Sequence, residues 1–290
     1  MKRILTVQDI SCLGKCSLTV ALPLISAMGV ETAILPTALL STHTMFKDFT
    51  FKDLSSQIKP ITDHWKKEGI VFDALYTGYL GTIDQIELVK DLFKDFKKRD
   101  NIIFVDPVMA DNGQLYPGFN QEYVKKNTEL CALADVIVPN ITEACFLTHT
   151  EYKEEYDEKY IKELLIRLSY LGAKKSVITG VSLHQGMTGF MGYDRETKDY
   201  FWFENKYIDV SYHGTGDIFS SVSIGALMNG LSFYDAFKLA SLYTAYTINE
   251  TLKNPHKPWY GVDFETTIKE LVMALEKARK DEKYELSYEV

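Results

Sequence analysis

Short apolar runs rich in β-branched residues alternate along this chain with longer stretches of helical period. Candidate strands are Ile4–Gln8, Thr32–Leu35, Ala74–Thr77, Ile102–Asp106, Val136–Val138 and Ser176–Thr179. Several are apolar without strict alternation, as strands buried on both faces are. Amphipathic stretches follow most of them. Ser17–Met28 ends at Gly29, Glu158–Leu171 at Gly172 and Ile218–Asn229 at Gly230, each a fitting helix-ending glycine. Ile83–Lys98 sets Ile83, Ile86, Val89, Leu92, Phe93 and Phe96 at helical spacing, and Phe233–Asn249 and Phe264–Arg279 complete the helices. Strand–helix repetition implies right-handed crossovers and a mostly parallel central sheet with helices on both faces, a three-layer αβα arrangement of the α/β class. Met187–Tyr193 and Asp199–Phe203 break the rhythm. They alternate around a polar turn and predict an antiparallel edge hairpin. With no repeat, linker or low-complexity tract, residues 1–290 are expected to form a single domain.

Composition adds exclusions. The chain is 46% hydrophobic and 25% charged, ordinary for a soluble globule, with a formal net charge of −8. That balance speaks against a general binder of nucleic-acid backbones. The uncharged stretches Cys16–Val30 and Ile218–Tyr234 fall short of the ~20 mostly apolar residues of a membrane span. The opening MKRILTVQDI reads as a first strand rather than a signal peptide. Cys12, Cys16, Cys131 and Cys145 form no CxxC pair and no zinc-type cluster, and are expected as free thiols in a cytoplasmic protein.

In open α/β sheets ligands bind beyond the carboxyl ends of the strands, so chemistry is sought there. His213-Gly214-Thr215-Gly216-Asp217 opens a helix. Two glycines let the backbone turn tightly and approach a ligand, and the N–H groups of a helix N-terminus attract anions. A carboxylate beside such an anion hole suits phosphoryl transfer, as base for an attacking hydroxyl. The same residues also read as a glycine turn with an acidic helix start. Asp106-Pro107-Val108-Met109-Ala110-Asp111-Asn112-Gly113 brings two carboxylates to a strand end, where they could order water around Mg²⁺. Pro139-Asn140-Ile141-Thr142-Glu143 offers an acid in a first helical turn, or simply a well-capped helix. Val177-Ile178-Thr179-Gly180 adds a hydroxyl and a glycine at another strand end. No GxxxxGK[ST] loop is present, so any nucleotide is held without a P-loop. Lys15 and Lys206 could contact phosphates or be solvated.

These four stations, in this order, resemble the ribokinase superfamily. Ser41-Thr42-His43-Thr44 and Thr77-Gly78-Tyr79-Leu80-Gly81 are similar to loops of its vitamin B6 kinase branch. The resemblance runs from Ile4 to about Asn249. It implies an ATP-dependent kinase acting on the hydroxymethyl group of pyridoxal, pyridoxine or pyridoxamine. Asp217 would be the base, with the backbone of Gly214, Thr215 and Gly216 as the anion hole. Asn140 and Glu143 would position Mg²⁺, with Asp106 and Asp111 near metal and phosphates, and Thr179 and Gly180 at the ATP phosphates. Asp9, Ser11, His43, Thr44 and Tyr79 would face the vitamer ring. A cytoplasmic homodimer helped by a monovalent cation such as K⁺ is further implied. Two features depart from the branch. Gln8-Asp9-Ile10 stands where Gln-Ser-His is usual, and Ala144-Cys145 follows the NITE segment without a second acid. An aspartate near position 9 is common in hydroxymethylpyrimidine kinases, so that activity, or dual specificity, is the alternative. A non-catalytic sensor of pyridoxal phosphate or nucleotide that kept the fold is a third.

Overall fold

The computed structural model describes residues 1–288. The first elements are β1 (Arg3–Leu13), α1 (Leu18–Ala27), β2 (Glu31–Thr42), β3 (Phe51–Asp53), α2 (Ser55–Lys67), β4 (Ala74–Thr77), α3 (Ile83–Phe96) and β5 (Ile102–Val105). Next come β6 (Ala110–Asp111), β7 (Gln114–Leu115), α4 (Gln121–Cys131), β8 (Val136–Ile137), α5 (Ile141–Thr148), α6 (Glu158–Ser169) and β9 (Lys175–Val181). The last are β10 (Met187–Asp194), β11 (Tyr200–Lys206), α7 (Thr215–Met228), α8 (Phe233–Lys253) and α9 (Ile268–Ala278). The chain divides into two compact units: Met1–Asp53 with the chain from Asn205 onward, and Leu54–Glu204.

In the first unit β1 runs parallel to β2, joined through α1, and β2 pairs antiparallel with β3. β1 is far longer than its apolar run suggests, because Ser11 and its neighbours continue the pairing to Leu13↔Thr42. The register slips between Gln8 and Ile10, where β2 uses three residues against two. Such bulges bend a strand and re-aim its side chains. Asp9 sits at this irregularity. The other face of the unit is helical, with α7 packed on α1 and α8. Ser232 caps α8, its hydroxyl accepting from the Asp235 backbone N–H at 3.1 Å.

In the second unit β4, β5, β8 and β9 lie side by side and parallel. β10 adds antiparallel to β9 and β11 lies beyond it, the edge hairpin the alternation predicts. Thr82, Asn120 and Asp157 cap α3, α4 and α6, each accepting from the backbone N–H three residues on. Helices α2 and α4 were not among the predicted elements. α2 buries only Ile58 and Thr62 and so leaves almost no apolar stripe, and α4 is polar apart from its buried face. The predicted Phe264–Arg279 helix is broken at Thr267, with a 3₁₀ turn over Phe264–Thr266 preceding α9. The α/β class, with parallel strands, helical cover and an antiparallel edge pair, is as the pattern implies. No helix among the described residues is long and apolar enough to cross a membrane. All four cysteines are free, three of them buried.

Candidate active site

In the first unit the site grows from the glycine turn. Gly214 is the N-cap of α7 with φ 84°, a left-handed conformation that favours glycine. A Cβ there would also collide with the backbone carbonyl of Lys15. Gly216 is different. Its backbone is not left-handed, and a Cβ built on it meets nothing within 4 Å. Neither conformation nor packing calls for glycine at 216, whereas close approach of a ligand to the backbone does. The first N–H groups of any helix lack intrahelical acceptors, and the helix dipole adds positive potential there. Thr215 ties the turn down, its hydroxyl donating to the Tyr212 carbonyl at 3.2 Å. Asp217 lies in the first turn of α7 and is partly exposed.

Asp9 is 4% exposed. Its carboxylate accepts from the Ser11 hydroxyl at 3.3 Å and also from Ser17, while burial pushes its pKa above the usual carboxylate range. The buried Cys16 thiol feels both Asp217 and Asp9, which together with burial drive its pKa upward. Asp9, Ser11 and Asp217 therefore gather around Cys16. His43 is also buried here. Its Nε2 lies 2.9 Å from the Tyr260 carbonyl and its Nδ1 accepts from the Met45 N–H at 3.3 Å. Thr44, by contrast, is exposed on the loop that follows. Lys15 is neither solvated nor open to a phosphate. Its ammonium bonds Asp263 at 3.1 Å and Glu265 at 2.6 Å with its side chain 13% exposed.

The second unit gathers the acidic stations. Asn140 caps α5 reciprocally with Glu143, so the capping role left open by the sequence is realised. The carboxylate of Glu143 accepts from Asn140 N–H at 2.9 Å through Oε2 and from Met109 N–H at 2.8 Å through Oε1. The Asn140 amide donates to the Ala110 carbonyl at 2.8 Å. One capping box thus anchors the Asp106–Gly113 loop at Met109 and Ala110. That loop closes as a hairpin, with Asn112 at φ 49° and Gly113 at φ 76° between β6 and β7. Positive φ at both central residues is the turn an Asn-Gly pair favours, so Asn112-Gly113 is itself a hairpin signal in the sequence. Thr142, in the same helix start as Asn140, is not the cap; its hydroxyl accepts from the Gly113 N–H at 3.0 Å. Val108 takes φ 30°, a strained value for a β-branched residue, beside the bond that holds Met109.

Burial pushes the pKa of Glu143 up to about 7, and the charge of nearby Asp111 adds to it. Asp111 is exposed and Asp106 is 8% exposed. Among the described residues no three His, Cys, Asp or Glu side chains are arranged to hold a metal. Mg²⁺ keeps most of its waters and needs only one or two carboxylates plus phosphates. An exposed carboxylate interacting with a buried one fits that requirement. Thr179 pairs with Asn140 in an isolated parallel bridge, its N–H bonding the Pro139 carbonyl at 3.0 Å, and Gly180 follows at φ 70° and exposed. Asn140, Glu143, Asp111, Thr179 and Gly180 are thus brought to one end of β5, β8 and β9. Tyr79 stands in an aromatic ladder, 5.7 Å from Phe119, which stacks at 3.8 Å on Tyr123.

Comparison with known proteins places the chain in a family. The family model described as phosphomethylpyrimidine kinase matches residues 22–259. Pyridoxine kinase of Bacillus subtilis is 33% identical over 204 residues, covering 68% of this chain and 70% of its own. A Bacteroides thetaiotaomicron protein provisionally named a phosphomethylpyrimidine kinase, solved with pyridoxal, superposes with a TM-score of 0.88 at 39% identity, over 93% of this chain and 95% of that one. Pyridoxal kinase from Lactobacillus plantarum superposes with a TM-score of 0.87 at 30% identity, over 96% and 98%. A glycine turn at a helix start with its acid, strand-end carboxylates and a match over most of the length converge: the chain belongs to the phosphomethylpyrimidine kinase family, within the ribokinase-like superfamily and beside the pyridoxal kinases it resembles.

Proposed function

We propose that this protein transfers the γ-phosphoryl group of ATP to the 5′-hydroxymethyl group of pyridoxal, pyridoxine or pyridoxamine. The observation that carries the reading is the turn at the start of α7, where Gly214 is held left-handed against Lys15 and Gly216 is left clear for a ligand. The substrate hydroxyl oxygen attacks the γ-phosphorus in line, the bond to the bridging β,γ-oxygen breaks, and ADP leaves. Asp217 takes the hydroxyl proton, and the backbone N–H groups of Gly214, Thr215 and Gly216 hold the charge on the moving phosphoryl group. Positioning supplies much of the rate in such transfers, because the protein has little covalent work to do.

Asp111, Asp106 and Glu143 would hold Mg²⁺ in this reading, with Asn140, Thr179 and Gly180 on the nucleotide side, and the ion would supply neutralisation of phosphate charge. Asp9, Ser11, Thr44 and Tyr79 serve the ring of the acceptor. Residues 1–290 act as one kinase domain, in a cytoplasmic homodimer supported by a monovalent cation. Binding of pyridoxal by the Bacteroides relative supports the choice of acceptor.

A second reading, phosphorylation of hydroxymethylpyrimidine, is favoured by Asp9 and by the family the chain matches. ADP release, measured side by side with pyridoxal, pyridoxine, pyridoxamine and hydroxymethylpyrimidine, tests both. Turnover of a B6 vitamer at least tenfold more efficient than that of the pyrimidine is the expected result, and the reverse order overturns it. No ADP release with any of the four would mean a sensor rather than a kinase.

A further inference from the structure

Two imidazoles meet in the first unit, and they differ in what they have left to offer. His43 is 1% exposed. The Tyr260 carbonyl can only accept, so Nε2 of His43 carries the proton and donates to it. The Met45 N–H donates to Nδ1, so that nitrogen supplies the lone pair. A neutral imidazole has one donor and one acceptor, and His43 uses both within the chain. Resemblance assigned His43 to the substrate ring, yet no hydrogen-bonding atom of it is left for a ligand.

His213 lies against it, with ring centroids 4.5 Å apart and planes tilted by 38°. The His213 side chain is only partly buried, and its nitrogens have no hydrogen-bond partner among the described residues. Burial and the neighbouring His43 push its pKa down to about 4, so at working pH it is neutral with one donor and one acceptor. It directly precedes Gly214 and stands four positions before Asp217. The ring it leans on is held in turn. Phe46 packs edge-on to His43 at 4.9 Å, and Trp259 packs on Phe46 at 4.5 Å. A neutral hydrogen-bonding ring, fixed in plane, thus adjoins the turn read as the anion hole.

We propose that His213 is a substrate-contacting residue that hydrogen-bonds a polar substituent of the heteroaromatic acceptor, and that His43 is a positioning residue that fixes the plane of the His213 ring. The inference rests on the kinase reading above and adds to it a residue that sets acceptor affinity. A planar nitrogen heterocycle bearing a hydroxymethyl group and a second polar substituent is the ligand class such a ring recognises.

His213→Phe keeps a ring and the stacking but removes both nitrogens, whereas His213→Asn restores a donor and an acceptor. The measurements are KM for pyridoxal, KM for ATP, kcat, and the dissociation constant of pyridoxal by calorimetry without nucleotide. His213→Phe is expected to raise both KM and Kd for pyridoxal about tenfold, the worth of one good hydrogen bond, with KM for ATP unchanged. His213→Asn is expected to recover part of that loss. His43→Phe should raise KM for pyridoxal alone, and the double variant should cost no more than His213→Phe, as coupled residues do. Values for pyridoxal within twofold of wild type in His213→Phe would overturn the proposal. So would equal rises in KM for pyridoxal and ATP, which would mark a distorted anion turn. If the wild type turns over hydroxymethylpyrimidine but no vitamer, the B6 reading fails by itself. His213 is then judged on the pyrimidine by the same ratios, a selective rise in its KM sustaining the proposal and none overturning it.

Discussion

Glu143 and Asn140 hold each other across the first turn of α5, the carboxylate accepting from the Asn140 backbone N–H and the Asn140 amide oxygen accepting from the Glu143 N–H at 2.8 Å. The second carboxylate oxygen of Glu143 reaches back to Met109. One side chain therefore caps a helix, pins a strained loop and supplies charge beside Asp111. The observed capping role leaves the proposed metal role to be tested separately.

Glu143→Gln tests the combination. One oxygen becomes an amide nitrogen that must face a backbone N–H, leaving donor against donor. Stability of the metal-free protein is expected to fall by about 1–3 kcal/mol, the cost of a buried donor left unmatched. Differential scanning calorimetry reads that loss. Mg²⁺ titration of ADP release in the same variant should need several-fold more metal, because the carboxamide keeps the shape without the charge. An unchanged titration would remove Glu143 from the metal site while leaving its capping role intact.

Asp217→Asn should fold with wild-type stability, bind ATP and lose about 10²–10⁴-fold in kcat, the usual cost of removing a general base. Asp217 sits in the first turn of α7, where a neutral carboxamide is readily accommodated. Turnover within a few-fold of wild type would assign the proton transfer elsewhere.

Asp9→Ser addresses acceptor choice. Asp9 is buried among hydroxyl donors and lies close enough to Cys16 for its charge to act there alongside that of Asp217. Removing the carboxylate is expected to shift the ratio of kcat/KM between B6 vitamers and hydroxymethylpyrimidine about tenfold or more, since a hydrogen bond to a charged group is worth roughly 1.5–3 kcal/mol. An identical factor for every acceptor would show Asp9 to be structural.

The depressed pKa of His213 carries a pH dependence of stability. Its value falls from 6.5 to about 4 on folding, through burial and the adjacent His43. The unfolded chain therefore binds a proton more readily than the folded one. The stabilisation is present above pH 6.5 and is lost as pH falls toward 4. Its upper size is about 3 kcal/mol. Denaturant unfolding of wild type and His213→Phe at pH 7 and pH 4.5 should show a smaller acid loss in the variant. Equal losses would mean that the proton is taken up by another group.

Much of this was legible in the chain. Gly214 to Asp217 at a helix start, the carboxylates after Val105 and the Asn140-to-Glu143 capping pattern each state their own local physics, because glycine freedom, helix caps and strand ends are short-range matters. The antiparallel edge of β10 and β11 was equally local, written in residues that alternate around a tight turn.

Position-specific partners were not legible. Lys15 follows β1 by two residues, yet its charge is matched by Asp263 and Glu265, some 250 positions away along the chain. His43 carries a loop signature that suggests a ligand, yet Tyr260 and Met45 consume both of its nitrogens. His213 looked like a mere flank of the glycine turn. Its nitrogens, unpartnered among the described residues, and a ring kept neutral by burial and by the adjacent His43, are visible only in the folded chain. The sequence by itself determined the α/β class, the glycine turn at a helix start and the candidate acids, since these depend on backbone conformation within a few residues. Tertiary structure alone decided which polar atoms remain available, because hydrogen-bond capacity is finite and distant segments compete for it.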